Sequence, residues 1–252
     1  MGGNDFVVAG IVFGCVFGGA LVAMSVRAFL PEHHLSKPTE DAIKLGMGTI
    51  ATLTALVIGL LVAATHGSLD TKNGEIMQVA ADLILLDRQL VDYGVETREA
   101  RELLRRYTVY RIAATWPEEA TSVPDQRDAL LIEELEDRVR ALTPASDIQR
   151  WRQGRALEVA ADVARIRWLL DVQRASSVPR PFLVVVVWWL TLIFASFGLF
   201  APRNATVVAT MALCAASVAG SLFLILEMDK PFRGAIHVPS DPMREALTRM
   251  GG

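Results

Sequence analysis

Cysteine is nearly absent. Cys15 and Cys214 are the two in 252 residues, and each lies inside an apolar run. They allow neither a disulfide framework nor a thiolate metal cluster, so each is expected to serve as a small apolar side chain. Histidine is confined to His33, His34, His66 and His237. The adjacent pair His33-His34 points in two directions from the backbone, which makes a poor chelate and a reasonable solvated loop. No HExxH pair, Walker loop, GxSxG elbow or dinucleotide fingerprint occurs. No residue set unites a nucleophile, a base and an orienting group. Metal, cofactor and enzymatic chemistry are therefore not expected. The formal net charge of −3 offers no basic surface for nucleic acid. No stretch alternates with period two, so no sheet is expected.

What the sequence does contain is long apolar runs. Half of the chain, 52%, is apolar, and the mean hydropathy is +0.35. These residues gather in four stretches: Phe6–Val26, Leu45–Thr65, Phe182–Phe200 and Ala205–Leu226. Each has the roughly 20 residues that a helix needs to cross a hydrocarbon core about 30 Å thick. None carries an Asp, Glu, Lys or Arg, and an ionised group at mid-membrane costs several kcal/mol. Buried soluble helices would be shorter and would show a polar edge. The first run could be a cleaved signal peptide, but it lacks a basic n-region and another span follows closely. Pro31 follows the first run, Pro179 and Pro181 precede the third, and Pro202-Arg203-Asn204 forms a tight turn that makes the last two a hairpin. Proline cannot continue a helix.

The fold expected is all-α: four transmembrane helices plus an inserted cytoplasmic helical domain. The divisions are 1–66 for the first two spans, 67–180 for the inserted domain, 181–228 for the hairpin and 229–252 for the tail. Four spans put both termini and the inserted domain on one side. That side carries Lys72, Arg167, Arg174, Arg180, Lys230 and Arg233 near the membrane; the other carries Arg27, Lys37, Lys44 and Arg203. The positive-inside rule then makes the first side cytoplasmic in a multi-pass membrane protein.

Within the inserted domain, Ile76, Val79, Leu83, Leu86 and Leu90 repeat in steps of three and four, the seam of an amphipathic helix, with Asp82, Asp87, Arg88 and Asp92 off it. Gly94 interrupts the helix. Glu96–Thr115 resumes it, with Leu103, Leu104, Tyr107 and Ala114 inward, and Trp116-Pro117 ends it. A third helix is expected from about Pro124 to Leu142, with Leu131, Leu135, Val139 and Leu142 as its stripe. Thr143-Pro144 reads as an N-cap and first-turn proline for a fourth helix, Ala145–Val178, with Ile148, Trp151, Val159, Val163, Ile166 and Leu170 inward. These four can pack as a bundle within one subunit, or the first seam can meet its counterpart in a neighbour. Arg98, Arg101, Glu102 and Arg105 are expected as a solvated face.

Two places stand out in the spans. Gly48, Thr52, Ala55, Gly59 and Ala63 share one stripe of the second run, Thr49, Thr54 and Thr65 add hydroxyls, and His66 follows at its end. Such a face can line a pore or serve as a packing groove, and threonine can bond its own helix. In the first run, Gly14, Gly18 and Gly19 allow close helix contact. After the fourth run, Glu227 and Asp229 stand at a helix C-terminus, whose exposed carbonyls disfavour anions. They can pair with Lys230, Arg233 or an arginine of the inserted domain, or form an acidic ring in an oligomer. Pro231 and Gly234 then turn the tail along the domain surface, with a last short helix at Pro242–Met250.

Several stretches resemble the bestrophin-like domain family of bacterial membrane proteins: Gly59-Leu-Leu-Val-Ala-Ala-Thr65 with Ser68-Leu-Asp70 and Asn73; Ala80-Ala-Asp-Leu-Ile-Leu-Leu-Asp-Arg88 with Tyr93-Gly94; Ala100-Arg-Glu-Leu-Leu104; Trp116-Pro117; and Leu226-Glu-Met-Asp-Lys-Pro-Phe-Arg-Gly234. The resemblance runs from the second span to the tail. It implies a homo-oligomeric, pentameric ion channel whose second helix lines the pore. Its partners would then be the lipid bilayer, further copies of the chain and permeating small ions. Gly48, Thr52, Ala55, Gly59 and Ala63 would be pore-lining, with His66, Glu227 and Asp229 at the cytoplasmic mouth. The aromatic neck of true bestrophins has no counterpart between Gly46 and Thr65, and their acidic calcium clasp is reduced to Glu227 and Asp229. Neither calcium gating nor chloride selectivity is carried over by these residues. The competing reading is a non-conducting, membrane-anchored scaffold or sensor whose helical domain binds a protein.

Overall fold

The computed structural model describes residues 3–31, 36–117, 130–172 and 180–251. The His33-His34 loop, the start of the third domain helix at Pro124, and the end of the fourth helix with Arg174 and Pro179 lie outside them. Every regular element among the described residues is helical. In chain order these are α1 (Gly3–Val26), α2 (Lys37–Tyr93), α3 (Arg98–Thr115), α4 (Leu131–Arg140), α5 (Asp147–Val172), α6 (Arg180–Phe200), α7 (Ala205–Met228) and α8 (Asp241–Met250). Four of them, α1, α2, α6 and α7, are long and apolar enough to cross a membrane.

The second span does not end with its apolar run. It continues without a break into the seam of Ile76–Leu90 as one helix of 57 residues, about 85 Å long at 1.5 Å per residue. Its buried positions include Thr54, Leu61 and Thr65 in its first part, and Lys72, Ile76, Val79, Leu83, Leu86 and Leu90 in its second. Gly94 terminates it with φ 141°, a left-handed conformation that glycine adopts without a Cβ penalty. The Thr97 hydroxyl donates to the carbonyls of Leu90 and Gly94 at 2.6 and 2.7 Å and so closes the turn into α3.

The chain forms two compact units, and α2 contributes to both. In the first, α1 packs on α6 and α7 around Val12, Val16, Ala20, Leu190, Phe194, Ala215 and Leu222. The close approach uses Gly19 and Gly198. A Cβ on Gly19 would lie 2.8 Å from Thr191 Cγ2, and one on Gly198 would overlap the Ala20 carbonyl. Gly14 and Gly18 face open space, so the GxxxGG pattern contributes its third glycine and not its first two. At one end of this unit two arginines cap each other's neighbouring helices. Arg27 Nη1 donates to the carbonyls of Phe200 and Ala201 at 3.3 and 2.5 Å. Arg203 Nη2 donates to those of Met24 and Ser25 at 2.7 and 3.2 Å. Cations at helix C-termini satisfy carbonyls that have no intrahelical partner.

The second unit is a bundle of α2, α3, α4, α5 and α8 around Leu83, Leu86, Leu104, Tyr107, Ile132, Leu135, Val163 and Ala246. Four expectations are corrected here. The α5 N-cap is Ser146, not Thr143: the Gln149 backbone amide donates to Ser146 Oγ at 3.2 Å, while Gln149 Oε1 accepts from the backbone amide of Ala145, the residue before the cap, at 2.8 Å, a variant of the capping box. Ile148 and Trp151 are exposed, because the first turns of α5 run along the Gly94 turn through polar contacts. Gln149 Nε2 donates to the Tyr93 carbonyl at 3.1 Å, and Arg152 reaches Asp92. Arg101 is not a solvated residue: it binds the buried Asp87 through two hydrogen bonds, at 2.8 and 3.3 Å, and the Met250 carbonyl at 3.4 Å. Finally, the tail enters the core instead of lying on the surface. Val238, Met243, Ala246 and Met250 are buried with the bundle. Trp116 Nε1 donates to the Val238 carbonyl at 2.8 Å, and Phe232 packs edge-on against the Trp116 ring.

Candidate functional site: the open face of the second helix

Residues 48, 52, 55, 59, 63 and 66 step by three or four, so they share one face of α2. That face is exposed at every one of them: Gly48, Thr52, Ala55, Gly59, Ala63 and His66. A Cβ added at Gly48 or Gly59 would meet nothing within 4 Å. Within one chain, then, these small residues make no close helix contact. The α2 side that does pack carries Thr54, Leu61 and Thr65. Leu45, Leu53, Leu56 and Leu60 flank the open stripe and are exposed as well.

The threonine hydroxyls spend their protons on their own helix. Thr52 Oγ1 donates to the Gly48 carbonyl at 3.0 Å, Thr54 to Ile50 at 2.7 Å and Thr65 to Leu61 at 2.9 Å. A hydroxyl whose hydrogen is committed still offers lone pairs. Thr52 therefore presents an oxygen, and no positive hydrogen, to whatever lies along its face. Lys44, one turn before Gly48, is paired to Glu40 at 2.5 Å.

The three residues expected at the mouth have different settings. His66 is exposed at the end of the α2 stripe. Glu227 is 5% exposed, and its Oε1 accepts the Ala235 amide at 2.6 Å. The chain folds over this carboxylate at Gly234, φ 86°, where a Cβ would overlap Glu227 Oε1. Glu227 thus receives a main-chain donor as its compensation for standing at a helix C-terminus. Asp229 is half-buried as the C-cap of α7. Among the described residues, no group of three His, Cys, Asp or Glu could hold a metal ion.

The sequence reading did not find the mutual capping by Arg27 and Arg203 or the Asp87–Arg101 pair. A signal existed for the first: an arginine stands within three residues of the end of each of two apolar runs, Arg27 after Val26 and Arg203 after Phe200. The second joins residues 14 apart across a turn, and no spacing rule marks it.

Four membrane-length helices with an all-helical insert define an α-helical, multi-pass membrane protein. The Bestrophin-like domain model matches residues 14–243, and the chain belongs to that family. Two crystal structures of bacterial bestrophin homologue variants from Klebsiella pneumoniae share the fold. One has 16% identity and a TM-score of 0.61; the other has 12% and 0.63. Each alignment covers 96% of this chain and 98% of the other. No curated protein matches the chain.

Proposed function

We propose that the protein is a homo-oligomeric ion channel of the bacterial inner membrane, with α2 lining the pore around the symmetry axis. The observation that carries this reading is the small, hydroxyl-bearing face of Gly48, Thr52, Ala55, Gly59 and Ala63, which the chain's own helices leave uncovered. Family membership supports it. A ring of such faces, five in a pentamer, encloses a passage without bulky side chains. His66 then stands at its cytoplasmic mouth, with Glu227 and Asp229 at the same boundary. In this reading 1–66 and 181–228 form the membrane part, and 67–180 with 229–252 lies in the cytoplasm. No enzymatic reaction is assigned.

Purified oligomer in planar bilayers should give unitary currents, and Thr52→Leu should reduce their conductance several-fold. Silence from a verified oligomer across both chloride and potassium gradients would overturn the reading. A reporter fused after Gly252 should be active only in its cytoplasmic form.

One observation favours the scaffold reading. At the Gly94 end of the bundle, Val95, Ile148 and Trp151 are 81, 67 and 65% exposed, and exposed apolar patches mark interaction sites. Retained conductance in a Trp151→Ser variant that loses a protein partner would show both roles in one chain.

A further inference from the structure

A groove of about 280 Å³ lies between α6 and α7, walled by Phe194, Phe197, Val207 and Met211 and reaching Cys214. We propose that it holds an acyl chain of an anionic phospholipid whose headgroup sits on Arg27 and Arg203.

The walls are apolar, and they belong to two helices of membrane-spanning length. Thr206, at the groove's outer end, is the second residue of α7; Cys214 is eight residues deeper, roughly 12 Å along the helix. That depth approaches one leaflet, half of a hydrocarbon core about 30 Å thick. The groove thus opens where headgroups lie and runs inward along the acyl region.

Charge selects the headgroup. Arg27 is bonded to the Phe200 and Ala201 carbonyls, within one turn of Phe197. Arg203 is two residues from Ala205, where α7 begins. These bonds use Nη1 of Arg27 and Nε and Nη2 of Arg203. A guanidinium has five N–H donors, so Nε and Nη2 of Arg27 and Nη1 of Arg203 remain for phosphate oxygens. Residues 182–226 contain no aspartate or glutamate, so neither arm of the α6–α7 hairpin offers an acid to the two cations. An apolar slot beneath a cationic rim matches an anionic lipid. It does not match a zwitterionic one, whose positive group would face the same two arginines.

The test uses the full-length protein in detergent, titrated with phosphatidylglycerol, phosphatidylcholine and inorganic phosphate, with binding read by native mass spectrometry. Phosphatidylglycerol should bind more tightly than phosphatidylcholine, by roughly five-fold per arginine. Arg203→Gln should remove its share of that preference. Thr210→Phe fills the groove without touching the arginine caps and should weaken retention of phosphatidylglycerol. Equal binding of the two lipids overturns the proposal, as does full retention in Thr210→Phe. Inorganic phosphate displacing phosphatidylglycerol at equimolar concentration would assign the rim to a free anion instead. Bismaleimide cross-linking of Cys214 between subunits, in a Cys15→Ser background, would mean that a second copy covers the groove, and would also overturn it. None of these readouts depends on conduction.

Discussion

Asp87 shows how a charge off the apolar seam can still belong to the core. Its neighbours on α2 place it beside Leu83, Leu86 and Leu90, and Arg101 of α3 meets it with two hydrogen bonds. Arg101 also holds the Met250 carbonyl, so one guanidinium ties α2, α3 and α8 together. Asp87→Asn keeps the volume but removes the charge, and a hydrogen bond to a charged group contributes about 1.5–3 kcal/mol. Because Arg101 is about one-third exposed, solvent screening favours the lower end. Thermal unfolding of Asp87→Asn should show a loss of about 1–2 kcal/mol. A double-mutant cycle with Arg101→Gln should return most of it as coupling; additivity would show that the pair contributes nothing.

Among the elements, α1 and α6 carry the tightest constraint. Their crossing relies on Gly198 against the Ala20 carbonyl and on Gly19 against Thr191. Without a hydrophobic force between helices in lipid, close backbone packing supplies much of the association. Gly198→Val should separate the helices and lose the folded membrane unit, seen as aggregation on size-exclusion chromatography. Gly14→Val, whose position is open, should elute as the parent does. Had the GxxxGG pattern been the contact itself, the two variants would exchange outcomes. At α5, the Ser146 and Gln149 box was readable, since Ser-x-x-Gln is an N-terminal signature. Thr143-Pro144 offers a cap of its own, but the helix expected from Ala145 starts at Asp147, with the cap at Ser146.

At the scale of the molecule, the tail is part of the fold. Val238, Met243, Ala246 and Met250 complete the bundle core, and Trp116 is closed from one side by Phe232 and the Val238 carbonyl. Deleting 237–252 would expose these facing positions and leave the Trp116 indole N–H without its acceptor. Such losses each cost on the order of 1–3 kcal/mol, comparable in sum to the stability of a domain. The truncated chain should be rapidly degraded or cut within the bundle under limited proteolysis. A stable, monodisperse truncation would mean that the tail merely decorates the bundle.

The four membrane helices, the all-helical insert, the Gly94 break and the inward stripes of α3 and α4 were legible because each depends on neighbours along one chain. Span length follows from local hydropathy, amphipathic faces from a period of 3.6, and the break from one backbone conformation. The stripe of Gly48, Thr52, Ala55, Gly59 and Ala63 was legible in the same way, but whether it packs or stays open was not. That depends on which surfaces the other helices occupy, and the structure shows them on the Thr54, Leu61 and Thr65 side. The same holds for Gly19 and Gly198, Arg27 and Arg203, Asp87 and Arg101, and Glu227 beneath Gly234. Sequence by itself determined which segments are helices and which can cross a membrane. Only the tertiary structure decided which glycines touch and which charges are buried, because those outcomes depend on partners that sequence distance does not reveal.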